Sequence, residues 1–210
     1  VTLFAPARFR LGDDEARQAL AGFDRLATVV VSGPAGLAAA HVPLIYEDGH
    51  LRGHIARANL IASCAPCDAL VICLGPEAYV SPNWYPTKAE DGRAVPTWNY
   101  TAIHASGPMT LMENPADLRA NLEALSDRHE RERPDRWRVS DAPTDYIAQL
   151  MKGIVGIDIE VRTVVGKAKL SQDKPATNFE GVLNALAASA DPRDQAVADL
   201  MRTLTPRASQ

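Results

Sequence analysis

The sequence predicts a mainly β fold of the α+β class: six or seven antiparallel strands closing as a small barrel, with helices at its periphery. Three observations carry this. Apolar runs rich in Val and Ile follow one another across short Gly-bearing turns, too tight for crossover helices. The strand–helix alternation of a doubly wound fold is absent, as is a GxGxxG after a first strand. Helical spacing appears only in a first segment, in a few interspersed ones and at the C-terminal end. Strands joined in this way bury their apolar face by closing on themselves.

The elements follow in order. Residues 13–26 read as a helix: Ala16, Leu20, Phe23 and Leu26 keep helical spacing, and acids occupy the first turn, where the helix dipole favours them. "LATVVVS" (26–32) is a strand, "GPAG" (33–36) a turn and "LAAAHVPLIY" (37–46) a second strand. "EDGH" (47–50) turns into a strand at 51–55, and 56–63 reads as a short helix. Residues 68–75 and 77–82 are strands separated by a Gly-Pro break, and 86–94 is an exposed loop. Strands follow at 95–107 and 109–113. Asn114-Pro115 opens a helix, an N-cap followed by proline at the first helical position. Residues 128–138 interleave both charge signs, the pattern of a solvated surface. A helix at 144–153, a long strand or hairpin at 154–172 and two helices near 177–188 and 191–204 complete the chain.

The 210 residues fit one domain, 46% hydrophobic and 23% charged. The net charge of −4 and pI near 5.7 leave direct DNA binding open but without support from charge, since phosphate neutralisation drives such binding. No apolar run reaches the ~20 residues of a membrane span. The start lacks a signal-peptide pattern, and three cysteines do not make a disulfide framework, so a cytoplasmic location is expected.

Several motifs carry a ligand reading beside a structural one. In "GHIARAN" (53–59) a strand gives way to a helix start. Unpaired N–H groups, the Arg57 fork, His54 and Asn59 suit a phosphate, or Arg57 is a surface residue and His54 a satisfied strand residue. Pro43 in "HVPL" (41–44) marks an edge or bulge, where a ligand can approach the backbone; His41 is structural or a ligand contact. "SPNWYP" and "VPTWNY" surround Trp84 and Trp98 with Ser81, Asn83, Thr97 and Asn99, fitting either a planar heteroaromatic ring or a core whose indoles need partners. Cys64-x-x-Cys67 is half a zinc site at best, and no metal is expected.

Taken together, "HVPL", "GHIARAN", "AYVSPNWYP", "VPTWNYTAIHASG", "DAPTDYIAQLMKGIVGIDIEV" and "GKAKLSQDKP" resemble, in order, the PaiB-type FMN-binding negative transcriptional regulators. The resemblance spans residues 41–175 and extends to the opening "LFAPARFRLGDDEA". It implies a single flavin-binding split-barrel domain over 1–210, related to pyridoxamine-phosphate oxidase, with C-terminal helices at about 177–204. It further implies a homodimer with FMN at the subunit interface. The phosphate would lie on His54, Ile55, Arg57, Ala58 and Asn59. The backbone of His41, Val42, Pro43 and Leu44 would run beside the ring, with Ser81, Trp84, Thr97, Trp98 and Asn99 lining it, and Lys169 and Gln172 reaching it. Three departures from the family pattern stand out: Ala7-Arg8 where Pro-His is usual, Asp173 where Asn is usual, and "LIASCAPCD" after the phosphate segment. Two rival functions share the fold: a flavin-dependent oxidoreductase acting on a small molecule, with His41 or His104 as proton donor, and a barrel holding haem or a deazaflavin.

Overall fold

The computed structural model describes residues 3–204. Among them are eight strands and seven α-helices. In chain order these are α1 (Asp13–Ala21), β1 (Leu26–Gly33), β2 (Gly36–Pro43), β3 (Ile45–Glu47), β4 (His50–Ala56), α2 (Leu60–Cys64), β5 (Cys67–Val80) and α3 (Lys88–Asp91). Then come β6 (Thr97–Met112), α4 (Pro115–Glu130), α5 (Thr144–Met151), β7 (Ile154–Glu160), β8 (Thr163–Lys169), α6 (Ala176–Ala187) and α7 (Pro192–Arg202). The strands form one sheet in the order β2-β1-β5-β6-β7-β4-β3, with β8 paired to β6. The fold is an α+β antiparallel split barrel. No helix among the described residues is long and apolar enough to cross a membrane.

Contacts group the chain into two compact units, and β5 and β6 run from one into the other. The first unit holds Asp14–Cys73 and His104–Val164. Its β1–β2 hairpin pairs Leu26 with Pro43 through to Gly33 with Gly36, and Gly36 takes the positive φ (106°) that the turn requires. The sheet's other end curls back on β2: a Cβ at Gly53 would lie 2.5 Å from the Pro43 carbonyl oxygen. Only glycine fits there, so this contact closes the unit. Val29, Val31, Val42, Leu51, Val71, Met109, Ile157 and Ile159 fill its interior, each at most 2% exposed. They alternate along their strands as a one-sided sheet demands.

The second unit holds Leu3–Asp13, Leu74–Ile103 and the residues from Val165. Here α6 and α7 lay Phe179, Val182, Leu186, Val197, Ala198 and Met201 over Ala78, Val80, Ala168 and Leu170. Asp191 caps α7 by accepting from the Arg193 amide at 2.9 Å. That fulfils the Asp-Pro start signal.

Several elements differ from expectation. The first helix stops at Ala21, because Gly22 follows it. The strand expected over 37–46 breaks at Leu44, immediately after Pro43, into β2 and β3. The strands expected at 68–75 and 77–82 are one, β5, and those at 95–107 and 109–113 are one, β6. Each passes through a Gly-Pro pair without a break. β7 and β8 do not make a hairpin: β7 lies between β4 and β6, while β8 pairs with β6 and bridges Arg10 at Lys167. The loop over 86–94 contains the one-turn α3.

Candidate functional site

In the first unit β4 sends Leu51, Gly53 and Ile55 into the core and His50, Arg52 and His54 to the other face. His54 stands opposite Gly156 of β7. Its Nδ1 is buried with no hydrogen-bond partner among the described residues. Burial pushes its imidazole below the ordinary value of 6.5, so it is neutral at pH 7.

The strand ends at Ala56, and the Asn59 amide closes the following turn on the Ala56 carbonyl at 2.9 Å. The Arg57 amide donates to the Gly153 carbonyl at 2.9 Å, which pins the turn to the segment before β7. The helix expected from 56 to 63 begins only at Leu60, because Asn59 caps it through Oδ1, 3.1 Å from the Ile61 amide. The outward row of free N–H groups expected at this junction is therefore largely satisfied by Ala56, Asn59 and Gly153. What remains for an anion is side-chain chemistry. The Arg57 guanidinium is about half exposed; Nε donates to the Lys152 carbonyl at 3.2 Å, and the nearest carboxylate is the well-exposed Glu113 at 3.9 Å. An exposed pair that long contributes little, so the guanidinium keeps donors for another partner.

The "HVPL" residues lie on the rim of β2. Val42 and Leu44 are buried, the Pro43 carbonyl faces Gly53, and Ile55 is a core residue. The Val42 and Leu44 side chains are therefore closed to a ligand. His41 is exposed, and its Nδ1 lies 3.1 Å from Thr28 Oγ1 across the hairpin. Ala58 is exposed on the turn.

In the second unit most polar residues of the ring expectation form an internal network. Asn99 is fully buried; its Oδ1 accepts from Ser171 Oγ at 3.0 Å and its Nδ2 reaches Met201 Sδ at 3.5 Å. Gln172 accepts from the Leu170 amide at 2.7 Å and donates to the Ala168 carbonyl at 2.6 Å, completing the backbone pairing where β8 ends. Ser81 caps the 3₁₀ turn Pro82–Trp84. The Trp84 carbonyl lies so close to Gly181 that a Cβ there would approach within 2.1 Å, and Trp84 packs on the α6–α7 core.

Lys169 donates from Nζ to Thr97 Oγ1 at 2.6 Å and to the Trp98 carbonyl at 2.7 Å. Burial lowers the ammonium below its usual range, against a smaller opposing effect of Asp173. Trp98 is 52% exposed, edge-on to Tyr79 at 6.0 Å. Thr97, Trp98 and Lys169 are thus together on the surface of this unit, whereas Asn99, Gln172, Ser81 and Trp84 are committed to its architecture.

Sequence reading missed Ser171, whose φ of 64° turns the chain so that its hydroxyl meets Asn99. It also missed Lys167, buried with Nζ 5.0 Å from the Tyr100 ring centroid and 5.8 Å from that of Phe4. Neither spacing announces itself, because both partnerships form across distant strands and termini.

Comparison with known proteins places this geometry among relatives. Residues 3–163 match the family described as "Putative FMN-binding domain". The "Protease synthase and sporulation protein PAI 2" of Bacillus subtilis is 28% identical over 207 residues, covering 95% of this chain and 96% of that protein. An uncharacterized protein of Aspergillus fumigatus is 36% identical over 169 residues, covering 64% of this chain and 65% of its own length, less than two thirds. Among solved structures, the flavocytochrome Anf3 from Azotobacter vinelandii superposes with a TM-score of 0.58 at 14% identity, over 76% of this chain and 69% of that one. The FAD and heme binding protein from Mycobacterium smegmatis gives 0.57 at 15% identity, over 76% and 73%. At these identities the structures are alike in fold.

Proposed function

We propose, from the premise that this chain belongs to the PaiB-type FMN-binding family, that it binds FMN with the phosphate on the segment 53–59. The observation that carries the reading is the pairing of an orphaned, buried His54 Nδ1 with an Arg57 guanidinium whose one carboxylate neighbour among the described residues is the exposed Glu113 at 3.9 Å. Both lie on one strand end, and both gain from a phosphate: the arginine as a fork donor, the imidazole as a neutral or protonated donor. The residues present therefore fit the group. Asn59 shapes the turn through its cap, Ala58 leaves it open, and Ile55 anchors it in the core. The backbone at His41, Val42, Pro43 and Leu44 borders the ring; in the second unit, Thr97, Trp98 and Lys169 are the surface still open to a ligand. A bound flavin supplies electron or hydride transfer; the chain supplies binding and charge.

The test is flavin titration, followed by fluorescence quenching, of the parent and Arg57→Ala. Loss of a charge-assisted contact of about 1.5–3 kcal/mol predicts roughly ten- to hundredfold weaker binding with the fold retained. Unchanged affinity would place the phosphate elsewhere.

The same reading includes a homodimer in the cytoplasm. Cys64, Cys67 and Cys73 are free thiols, in keeping with a reducing compartment. The dimer is supported by β2, a terminal strand with Leu37 80% exposed and no Asp, Glu, Lys or Arg. Such an edge invites a partner. Any direct contact with DNA would have to come from a local patch, because the net charge of −4 gives it no support.

A further inference from the structure

The first unit contains a second candidate site that shares no residue with the flavin segment. A cavity of about 480 Å³ opens between β3, β4, the end of β6, β7 and the first ten residues of α4. That volume suits a small molecule, for which sites run to about 300–1,000 Å³. Its apolar wall includes Ile45, Met112 and Ala124. Its polar wall is Glu47, Arg52, Asp117, Asn121 and Asp158.

These polar groups are not equally engaged. Asp158 is accounted for: His50 Nδ1 lies 2.8 Å from one oxygen and Arg52 Nε 3.5 Å from the other. Glu47 and Asp117 have no ion-pair partner among the described residues, and one arginine against three carboxylates leaves the wall at −2. Asn121 is the sharper anomaly. It is only 7% exposed, lines the cavity, and its Nδ2 has no hydrogen-bond partner among the described residues. An apolar residue of the same size would be cheaper to bury there. An unpaired amide beside two unpaired carboxylates is what a binding wall looks like before its ligand arrives, and not what a core optimised for stability retains.

We propose that this cavity binds a small organic cation, an amine or amidinium carrying a carbonyl-type acceptor on an apolar body. Glu47 and Asp117 hold the cation. The Asn121 amide donates to the acceptor, with Arg52 beside it, and Ile45, Met112 and Ala124 cover the apolar part. A carboxylate ligand is disfavoured by the net charge of the wall. The adjoining groove shares Ile45, Glu47 and Ala124 with this cavity and adds Asp127, Arg128, Arg131 and Arg136, so the cation-selective part is the end at Asp117 and Asn121, which that groove does not include.

The test uses the full chain with its flavin, titrated by heteronuclear NMR with phenylalaninamide as the cationic probe and N-acetylphenylalanine as its anionic counterpart. Phenylalaninamide is expected to bind with a Kd of about 1 mM or tighter and the anion not to bind. Asp117→Asn and Asn121→Leu should each weaken the cation at least about fivefold, a fraction of the roughly tenfold that 1.4 kcal/mol represents. Asn121→Leu should melt no lower than the parent, since it removes an unpaired buried amide. The proposal is overturned by no saturable binding at about 10 mM, weaker than any specific site would show, by equal binding of the anion, or by affinity retained in both variants. A marked drop in the melting temperature of Asn121→Leu would equally overturn it, by making the amide structural. Should that variant not fold, Asp117→Asn decides alone, because its side chain is exposed in the first turn of α4. Arg57→Ala should leave phenylalaninamide binding intact, which separates this site from the flavin reading.

Discussion

At the scale of single residues, burial sets the protonation behaviour. His54 and His104 are both lowered from 6.5 by desolvation, and each has a buried Nδ1 without a partner among the described residues. In the unfolded chain both titrate near the ordinary value. Between that value and the lower folded one, the unfolded state binds more protons, so stability rises with pH across this window. The stability is complete above about pH 6.5 and is lost as pH falls through the folded value. Thermal melts of the flavin-free chain should therefore drop between about pH 7.5 and pH 5.5. His54→Asn, which cannot take up the proton, should flatten part of that drop and leave the share due to His104. A slope identical to the parent's would remove His54 from the account. The two histidines could be picked out in the sequence, but their burial could not, since it depends on which face of β4 and β6 is covered. Asn99, singled out by its chemistry, and Gln172, by the resemblance, show the converse: in the structure they bond to Ser171, Met201 and the end of β8, partnerships no local pattern announces.

At the scale of elements, the Gly-Pro pairs mark where local reading and tertiary structure part. Gly75-Pro76 and Gly107-Pro108 look like strand breaks because proline removes a ladder donor and glycine weakens a strand. Both are passed without interruption because each glycine is a point of close approach. A Cβ at Gly75 would lie 1.9 Å from Thr101 Oγ1, and one at Gly107 would lie 1.8 Å from the Glu160 carbonyl oxygen. The sequence shows the glycine but not the strand pressed against it, so β5 and β6 are each read as two. The helices were legible in their caps, which are local: Asn114 accepts from Ala116 at 2.9 Å and Asp191 from Arg193. The start of α2 is the exception: it lies at Leu60 rather than 56, because the Asn59 oxygen serves as its cap. The two Gly-Pro sites differ in what gives way. At Gly75 the obstacle is a hydroxyl that can rotate; at Gly107 it is backbone. Gly107→Ala should therefore cost about 2–4 kcal/mol, the range of strained overpacking, and Gly75→Ala less. Urea midpoints at equal slope would show the order, and equal losses would mean that backbone and side-chain obstacles yield alike.

At the scale of the whole molecule, the family and its split-barrel fold were legible because they rest on segments spread from the first strands to β8. The association state was not, because it depends on which surfaces stay uncovered. In the first unit, strand β2 stands at one end of the strand order; its Pro43 end meets Gly53 of β4, while Gly36, Leu37, Ala39 and His41 are its exposed residues. Leu37 and, on β1, Leu26 are 80% and 61% exposed, and Leu60 at the start of α2 is 73% exposed. Isolated exposed leucines are ordinary, but an uncharged edge strand is not, since unpaired N–H and C=O groups template pairing with another chain. A homodimer that covers this edge removes the hazard and makes β2 an interface. If so, Leu37→Asp should shift the chain from dimer to monomer in size-exclusion chromatography with light scattering, because a carboxylate is poorly tolerated at a buried interface centre. The substitution lies on an exposed position beside a turn, so monomer stability should change by no more than about 0.5 kcal/mol. Should the variant remain dimeric with unaltered mass, another face carries the association. Should the parent itself prove monomeric at micromolar concentration, flavin affinity must be supplied within one chain. The Arg57→Ala titration, read at the same concentrations, then measures the phosphate contact free of any coupling to assembly.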